Sequence, residues 1–83
     1  MKRKRTSLVN LNLGEMGRII EVNGGSGFQR RLNVLGIRKG QIVRIVSKQP
    51  LSGPLTIEIG NCQMTIGRGM AHKIIVEGIW SKK

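Results

Sequence analysis

One stretch bounded by glycines, from Gly24 to Gly40, constrains the fold of this chain more than any other feature. Its sequence, GGSGFQRRLNVLGIRKG, predicts one short helix between strands, beginning near Gly27 and ending at Leu35. At about nine residues such a helix does not persist alone in water, because nucleation is costly and few backbone hydrogen bonds offset it. The helix must therefore pack against another element.

Both ends of this helix carry local signals. Ser26 and Gln29 have the spacing of a capping box, in which each side chain bonds an amide that the first turn leaves unpartnered. Gly36 suits the left-handed residue that ends a helix, and Ile37 can then fold back onto Leu32 as in a Schellman motif.

The helix also has one apolar side. Phe28, Leu32 and Leu35 recur at steps of four and three residues, which predicts that they face a core. Arg30 and Arg31 point elsewhere.

The rest of the chain reads as short strands, at residues 18–23, 41–48, 55–59, 62–66 and 73–77. Gly60-Asn61 fits the two-residue type II′ turn of a hairpin, and residues 67–72 read as a compact turn with one 3₁₀ turn. About five strands, with the short helix after the first strand, predict a mainly β fold closed into a small barrel. Closure leaves no edge strand open to aggregation.

Alternation within the strands predicts which side chains lie together. Ile20 and Val22 share a face in the first strand, and Ile74 and Val76 in the last strand are expected to face inward. The residues expected to enter the domain before the first strand are Leu8, Leu11 and Leu13.

The length and the net charge of the chain limit the classes of function that it can have. The 83 residues make one small domain with a formal charge of +11, which favours nucleic acid, anionic lipid or an acidic protein surface as partner. Six of the 15 basic residues lie in Lys2–Arg5 and Lys82–Lys83, which weakens the case for nucleic acid. We expect basic tails at 1–7 and 79–83 around a domain at 8–78.

The expected location is the cytosol. Lys2–Arg5 resembles the start of a signal peptide, but no apolar segment follows it. The sequence also has no apolar run near the length of about 18 residues that crosses a membrane.

The residues that usually perform catalysis are scarce, with one His, one Cys, four Glu and no Asp. The sequence therefore contains no catalytic set and predicts a protein that is not an enzyme. Cys62 alternates with Met64 and Ile66, which favours a buried structural thiol. Cys62, Met70 and His72 are weak candidates for a soft-metal site, since useful sites need three or four donors.

Four cations cluster on and just after the helix, namely Arg30, Arg31, Arg38 and Lys39. They form either a solvated face or a docking surface for acidic groups. Trp80 is either a lid on the barrel or an exposed anchor for a partner. With Phe28 and Trp80 the only aromatic residues, the chain lacks the aromatic platform that proline-rich peptides and single-stranded nucleic acids require.

Taken together, four segments resemble the FeoA family of small SH3-like barrels: Leu11 to Gly17, RLNVLGIRKG from Arg31 to Gly40, the Gly53-Pro54 corner, and IGRGMAHKIIV from Ile66 to Val76. The resemblance covers roughly Leu8 to Glu77. Lys39 departs from it, because the family often has proline there. The resemblance implies an SH3-like barrel.

The resemblance also implies an accessory role in bacterial ferrous iron uptake, beside FeoB, a membrane transporter with a cytosolic guanine-nucleotide-binding domain. In that interpretation the chain is an adaptor without chemistry of its own, and it docks through Arg30, Arg31, Arg38, Lys39 and Trp80. The family is often described as binding transition metals, so Fe²⁺ or another divalent ion is a candidate ligand, although no cofactor is required.

A different class of function stays open, an RNA-binding small barrel acting through its basic surface. Such binding would weaken steeply with salt, because it rests on phosphate neutralisation. The basic tails would equally hold an adaptor near the anionic inner face of the cell membrane.

Overall fold

The computed structural model describes residues 5–51 and 53–79. Its six strands are β1 (Arg5–Ser7), β2 (Met16–Val22), β3 (Ile42–Lys48), β4 (Leu55–Ile59), β5 (Cys62–Ile66) and β6 (Ile74–Ile79). A 3₁₀ helix spans Leu8–Asn10, and two α-helices, α1 and α2, span Ser26–Leu35 and Arg68–His72. The strands form one antiparallel sheet in the order β1-β6-β2-β3-β4-β5. The predicted mainly β fold is confirmed, with six strands instead of about five.

The additional strand comes from the predicted N-terminal tail. Residues 1–7 are predicted to be a basic tail, but Arg5–Ser7 pairs with β6, with Thr6 opposite Val76. Since β6 otherwise presents an unpaired row of backbone amides and carbonyls, a short strand beside it satisfies them. At the other end, β6 extends to Ile79, one residue beyond the predicted domain. Residues 1–4 and 80–83, including Trp80, lie outside the described residues.

A β-bulge changes which side chains of β2 face the core. The register of β2 against β6 shifts between Ile19 and Glu21. Such a bulge adds one residue to a strand and interrupts its alternation. Ile19 is buried, and Ile20 and Val22 are both half-buried, with Val22 packed against the core. The bulge therefore interrupts the shared face that alternation predicts for Ile20 and Val22.

The core lies between the sheet, α1, α2 and the 3₁₀ helix. Leu8 and Leu11 are buried as predicted, and so are Ile74 and Val76. Leu13 is exposed instead, because it lies in a turn closed by a hydrogen bond from the Glu15 amide to the Asn12 carbonyl (2.9 Å). The fully buried side chains of the central strands are Ile19, Val43, Ile45, Leu55, Ile57, Ile74 and Val76.

The start of α1 differs from the predicted capping box. Gly25 is the N-cap and no side chain caps the helix, so Ser26 is already its first residue. The Gln29 side chain donates through Nε2 to the carbonyl of Gly24 (3.1 Å) and, more weakly, to that of Val22 (3.4 Å). Gln29 thus ties α1 to the end of β2.

The end of α1 confirms the predicted Schellman motif. Gly36 is left-handed, with φ 90°, and its amide bonds the Asn33 carbonyl at 3.0 Å. The Ile37 amide bonds the Leu32 carbonyl at 2.8 Å. This reversal buries Ile37 (1% exposed) and leaves Leu35 44% exposed, so the prediction of Leu35 in the core is wrong.

The β4–β5 hairpin confirms the predicted strand pair, with Ile59 opposite Cys62. Gly60 has φ 60°, and Asn61 is not among the described residues with positive φ, which are the signs of a type II′ turn. Burial along β5 falls from Ile66 towards the turn, and Cys62 is exposed. The predicted buried thiol is therefore wrong, because Cys62 lies at the turn end of an edge strand, where burial is low.

The predicted 3₁₀ turn at 67–72 is a short α-helix, α2, which packs against the 3₁₀ helix and β6. Its Ala71 is fully buried. The 3₁₀ helix is also held by Lys48, whose ammonium group donates to the carbonyls of Val9 (3.1 Å) and Leu11 (3.0 Å).

Candidate functional site

A groove lies between α1 and the end of β2, with a volume of about 290 Å³. Its floor is apolar, formed by Val22, Leu32 and Ile37. Its rim is polar and charged and consists of Glu21, Gln29, Asn33, Arg38 and Lys39. The groove therefore combines an apolar base with both signs of charge.

Helix geometry divides the four predicted docking cations between two places. Because successive residues of a helix turn by about 100°, Gln29 and Asn33 lie on the groove side of Leu32. The same rotation directs Arg30 away from the sheet and Arg31 to the opposite flank. Of the four, only Arg38 and Lys39, which follow the helix, line the groove.

The loop that carries Arg38 and Lys39 is held to the sheet. The Gly40 amide donates to the Ile19 carbonyl at 2.7 Å, and the Arg38 amide donates to Oε1 of Gln41 at 2.7 Å. The sequence prediction did not include Gln41 in the site, although a Gln three residues after an exposed amide is a local capping signal.

The outer side of α1 carries apolar residues beside its cations. Val34 is 80% exposed and lies one helical turn after Arg30, and the half-exposed Leu35 lies one turn after Arg31. The sequence prediction missed Val34, although its position opposite Leu32 on the helix would have identified it. We refer to Arg30, Arg31, Val34 and Leu35 as the outer face of α1.

The cations on α1 and in the loop after it form no salt bridge, in contrast to cations elsewhere in the described part of the chain. Arg44 forms a salt bridge with Glu58, and the Lys73 ammonium group lies 4.8 Å from the centre of the Phe28 ring. Within residues 5–51 and 53–79, the cations that make no salt bridge include Arg30, Arg31, Arg38 and Lys39. These four are accordingly available to an acidic partner.

The three candidate metal donors lie on different elements. Cys62 is exposed at the hairpin end of β5, whereas Met70 and His72 lie on α2, beyond the other end of that strand. Met70 packs against the core. In the described part of the chain, no three His, Cys, Asp or Glu residues are grouped to hold a metal ion. Metal binding at these three residues stays a prediction.

The family model described as FeoA domain matches residues 6–78. The chain belongs to the FeoA family. The match begins within β1 and ends within β6, so it includes part or all of every strand and the whole of both α-helices.

Relatives agree with this family and with the fold. A protein of Methanocaldococcus jannaschii named "Putative Fe(2+) transport protein A" is 34% identical over 64 residues, 77% of this chain and 76% of its own. The crystal structure of an iron uptake regulatory protein, FeoA, superposes with a TM-score of 0.85 at 24% identity, covering 92% of this chain and all of its own.

A third similar protein is FeoA of Stenotrophomonas maltophilia, with a TM-score of 0.72 and 28% identity over 86% of this FeoA-family chain and 88% of its own. That protein was crystallised with zinc and is described as a prokaryotic SH3 domain protein and a candidate activating factor of bacterial ferrous iron transport. The predicted SH3-like fold is confirmed. Over residues 5–51 and 53–79, no helix is both long and apolar enough to traverse a bilayer.

Proposed function

We propose that this FeoA-family protein is a non-enzymatic accessory component of ferrous iron uptake. It docks on the cytosolic guanine-nucleotide-binding part of an FeoB-like membrane transporter and changes the activity of that transporter. The observation that carries the proposal is the family match across residues 6–78, together with a relative named for Fe²⁺ transport.

The composition of the exposed surface supports an adaptor. Protein interfaces combine apolar contacts with arginine, and the outer face of α1 places two arginines beside two exposed apolar side chains. The groove adds Arg38 and Lys39 next to it. An acidic surface on the partner would therefore find unpaired cations beside apolar contacts both on the outer face of α1 and at the rim of the groove.

The distribution of reactive groups supports a role without catalysis. The single His and the single Cys of the chain, His72 and Cys62, lie on separate elements and are both exposed. A Cys nucleophile is activated by a general base within hydrogen-bond distance, and these two side chains form no such pair. The basic runs 2–5 and 82–83 add attraction to the anionic inner face of the membrane, where the transporter resides.

A pull-down with the purified cytosolic domain of an FeoB-like transporter tests this function. The variants are Arg30→Glu with Arg31→Glu, and Arg38→Glu with Lys39→Glu. Each pair reverses two charges, so we expect binding to fall by at least about tenfold at low salt, with unchanged thermal unfolding because all four side chains are exposed.

The matched control is Lys82→Glu with Lys83→Glu, which makes the same change in net charge within the C-terminal run. If this control lowers binding as much as the other two pairs do, the attraction is non-specific and the α1 side is not the docking surface. If the unmodified protein does not bind the domain at all, the adaptor function is wrong.

A further inference from the structure

The groove beside α1 has the size and the lining of a pocket for a side chain. Its volume of about 290 Å³ is at the lower limit of ligand pockets, which suits one or two apolar side chains better than a nucleotide or another large cofactor. Its floor of Val22, Leu32 and Ile37 offers no hydrogen-bonding side chain, so the occupant must be apolar where it touches the floor.

The walls of the groove are held in place by the protein itself. On one side, the side-chain amide of Gln29 donates to the Gly24 carbonyl and sets the approach of α1 to β2. On the other side, the Gly40 amide donates to the Ile19 carbonyl, which holds the Arg38–Lys39 loop. A preformed groove binds its ligand without the entropic cost of ordering a loop.

The charges on the rim are placed asymmetrically. Glu21 comes from β2, whereas Arg38 and Lys39 come from the loop after α1. In the described part of the chain, none of the three makes a salt bridge, and the Asn33 side chain makes no hydrogen bond. The rim therefore has two free cations for a carboxylate and a free amide that can pair with a peptide backbone.

We propose that this groove binds a short segment of a partner protein in which a leucine-like side chain is followed by a carboxylate. The apolar side chain lies on the floor, the carboxylate bonds Arg38 and Lys39, and the Asn33 amide bonds the backbone of the segment. The proposal deepens the proposed function, because it gives the chemistry of the transporter segment, but the groove and its charges do not depend on that function.

The test is an NMR titration of the full-length, ¹⁵N-labelled protein with three blocked peptides. The first is Asp-Leu-Leu-Glu-Asp, the second has Ser in place of both Leu residues, and the third has Lys in place of the acidic residues. We expect the first peptide to shift the amides around the groove, from Val22, Leu32, Asn33 and Ile37 to Lys39. Each control peptide should bind at least about tenfold more weakly, since it lacks either the apolar or the charged contact.

Changes to the protein complete the test without disturbing the core. Arg38→Glu with Lys39→Glu should lower the affinity for the first peptide at least about tenfold, whereas Val34→Glu, on the outer face of α1, should lower it less than about threefold. Equal binding of the Ser peptide, shifts centred outside the groove, or stronger shifts of the same amides by an oligoribonucleotide would overturn the proposal.

The pull-down and the titration test different claims, so a negative result in one does not decide the other. If the transporter domain binds but the leucine peptide does not shift the groove, the groove proposal is wrong and the adaptor function stands. If the peptide occupies the groove but the transporter domain does not bind, the groove proposal stands and its partner is a different protein.

Discussion

The two α-helices of this protein are attached to the sheet in opposite ways. α1 has ten residues, yet Leu32 is its only fully buried side chain, and a groove separates part of the helix from β2. α2 has five residues, and its buried Ala71 packs against the 3₁₀ helix and β6. The longer helix is thus the more loosely attached one.

Side-chain size accounts for the difference. α2 turns the small side chain of Ala71 inward, and its full burial lets the helix backbone approach the neighbouring elements closely. α1 has exposed side chains on most of its circumference, polar and apolar, so it contacts the core through Leu32 and, less deeply, Phe28. A helix held by few anchors leaves most of its surface for binding, whereas a closely packed helix serves stability.

Removing the main anchor of α1 should have the largest effect on stability. Leu32→Ala removes a side chain that is 1% exposed, and we expect it to lower the free energy of unfolding by about 2–5 kcal/mol, as measured by urea denaturation. Val34→Ala on the exposed side of the same helix should change it by less than about 0.5 kcal/mol. A loss below about 1 kcal/mol for Leu32→Ala would mean that α1 does not depend on this anchor.

Two lysines allow the surroundings of the two helices to be compared by the same substitution. Lys48 bonds the 3₁₀ helix on which α2 packs, and Lys73 contacts a side chain of α1. Lys48→Met leaves the buried carbonyls of Val9 and Leu11 without a donor, and we expect a loss of about 1–3 kcal/mol. Lys73→Met removes only the contact with the Phe28 ring on α1, which should cost about 0.5–1 kcal/mol. Denaturation of both variants under identical conditions checks the order, and a reversed order would contradict the difference in packing.

Two glycines of the α1 region should respond to alanine with opposite signs. Gly36 has φ 90°, where a Cβ is unfavourable, so Gly36→Ala should cost about 1 kcal/mol. Gly27 lies within the helix with nothing near its position, so Gly27→Ala should stabilise by about 0.5 kcal/mol. Thermal unfolding measures both, and a stabilising Gly36→Ala would show that the helix does not need its left-handed end.

Much of the fold could be predicted because it follows from local sequence. Alternation located the β4–β5 hairpin, and Gly60-Asn61 identified its turn. The order Leu35-Gly36-Ile37 predicted the Schellman motif and so the end of α1. In each case the residues that decide the structure are neighbours in the chain.

Other features depend on residues far apart in sequence, and the sequence prediction missed them. The bulge at Ile19 and Glu21 depends on the match between β2 and β6. The strand Arg5–Ser7 likewise depends on its pairing with β6, near the other end of the chain.

The candidate site also combines features that follow from local sequence with features that depend on contacts between distant residues. Its residue types and their basic character were visible in the sequence, since Arg30, Arg31, Arg38 and Lys39 lie within ten positions. The sequence did not show that these four residues divide between an outer face and a groove rim. That division depends on where the Arg38–Lys39 loop bonds to the sheet.

By itself, the sequence determined the class of fold, the helix with its left-handed end, the inward alternation of the strands and the resemblance to the FeoA family. The tertiary structure alone decided that Arg5–Ser7 is a strand, that Cys62 is exposed, and that a groove opens beside α1. The reason is physical: local propensity acts between neighbouring residues, whereas burial and edge pairing depend on which distant backbone and side-chain groups would otherwise lack a partner.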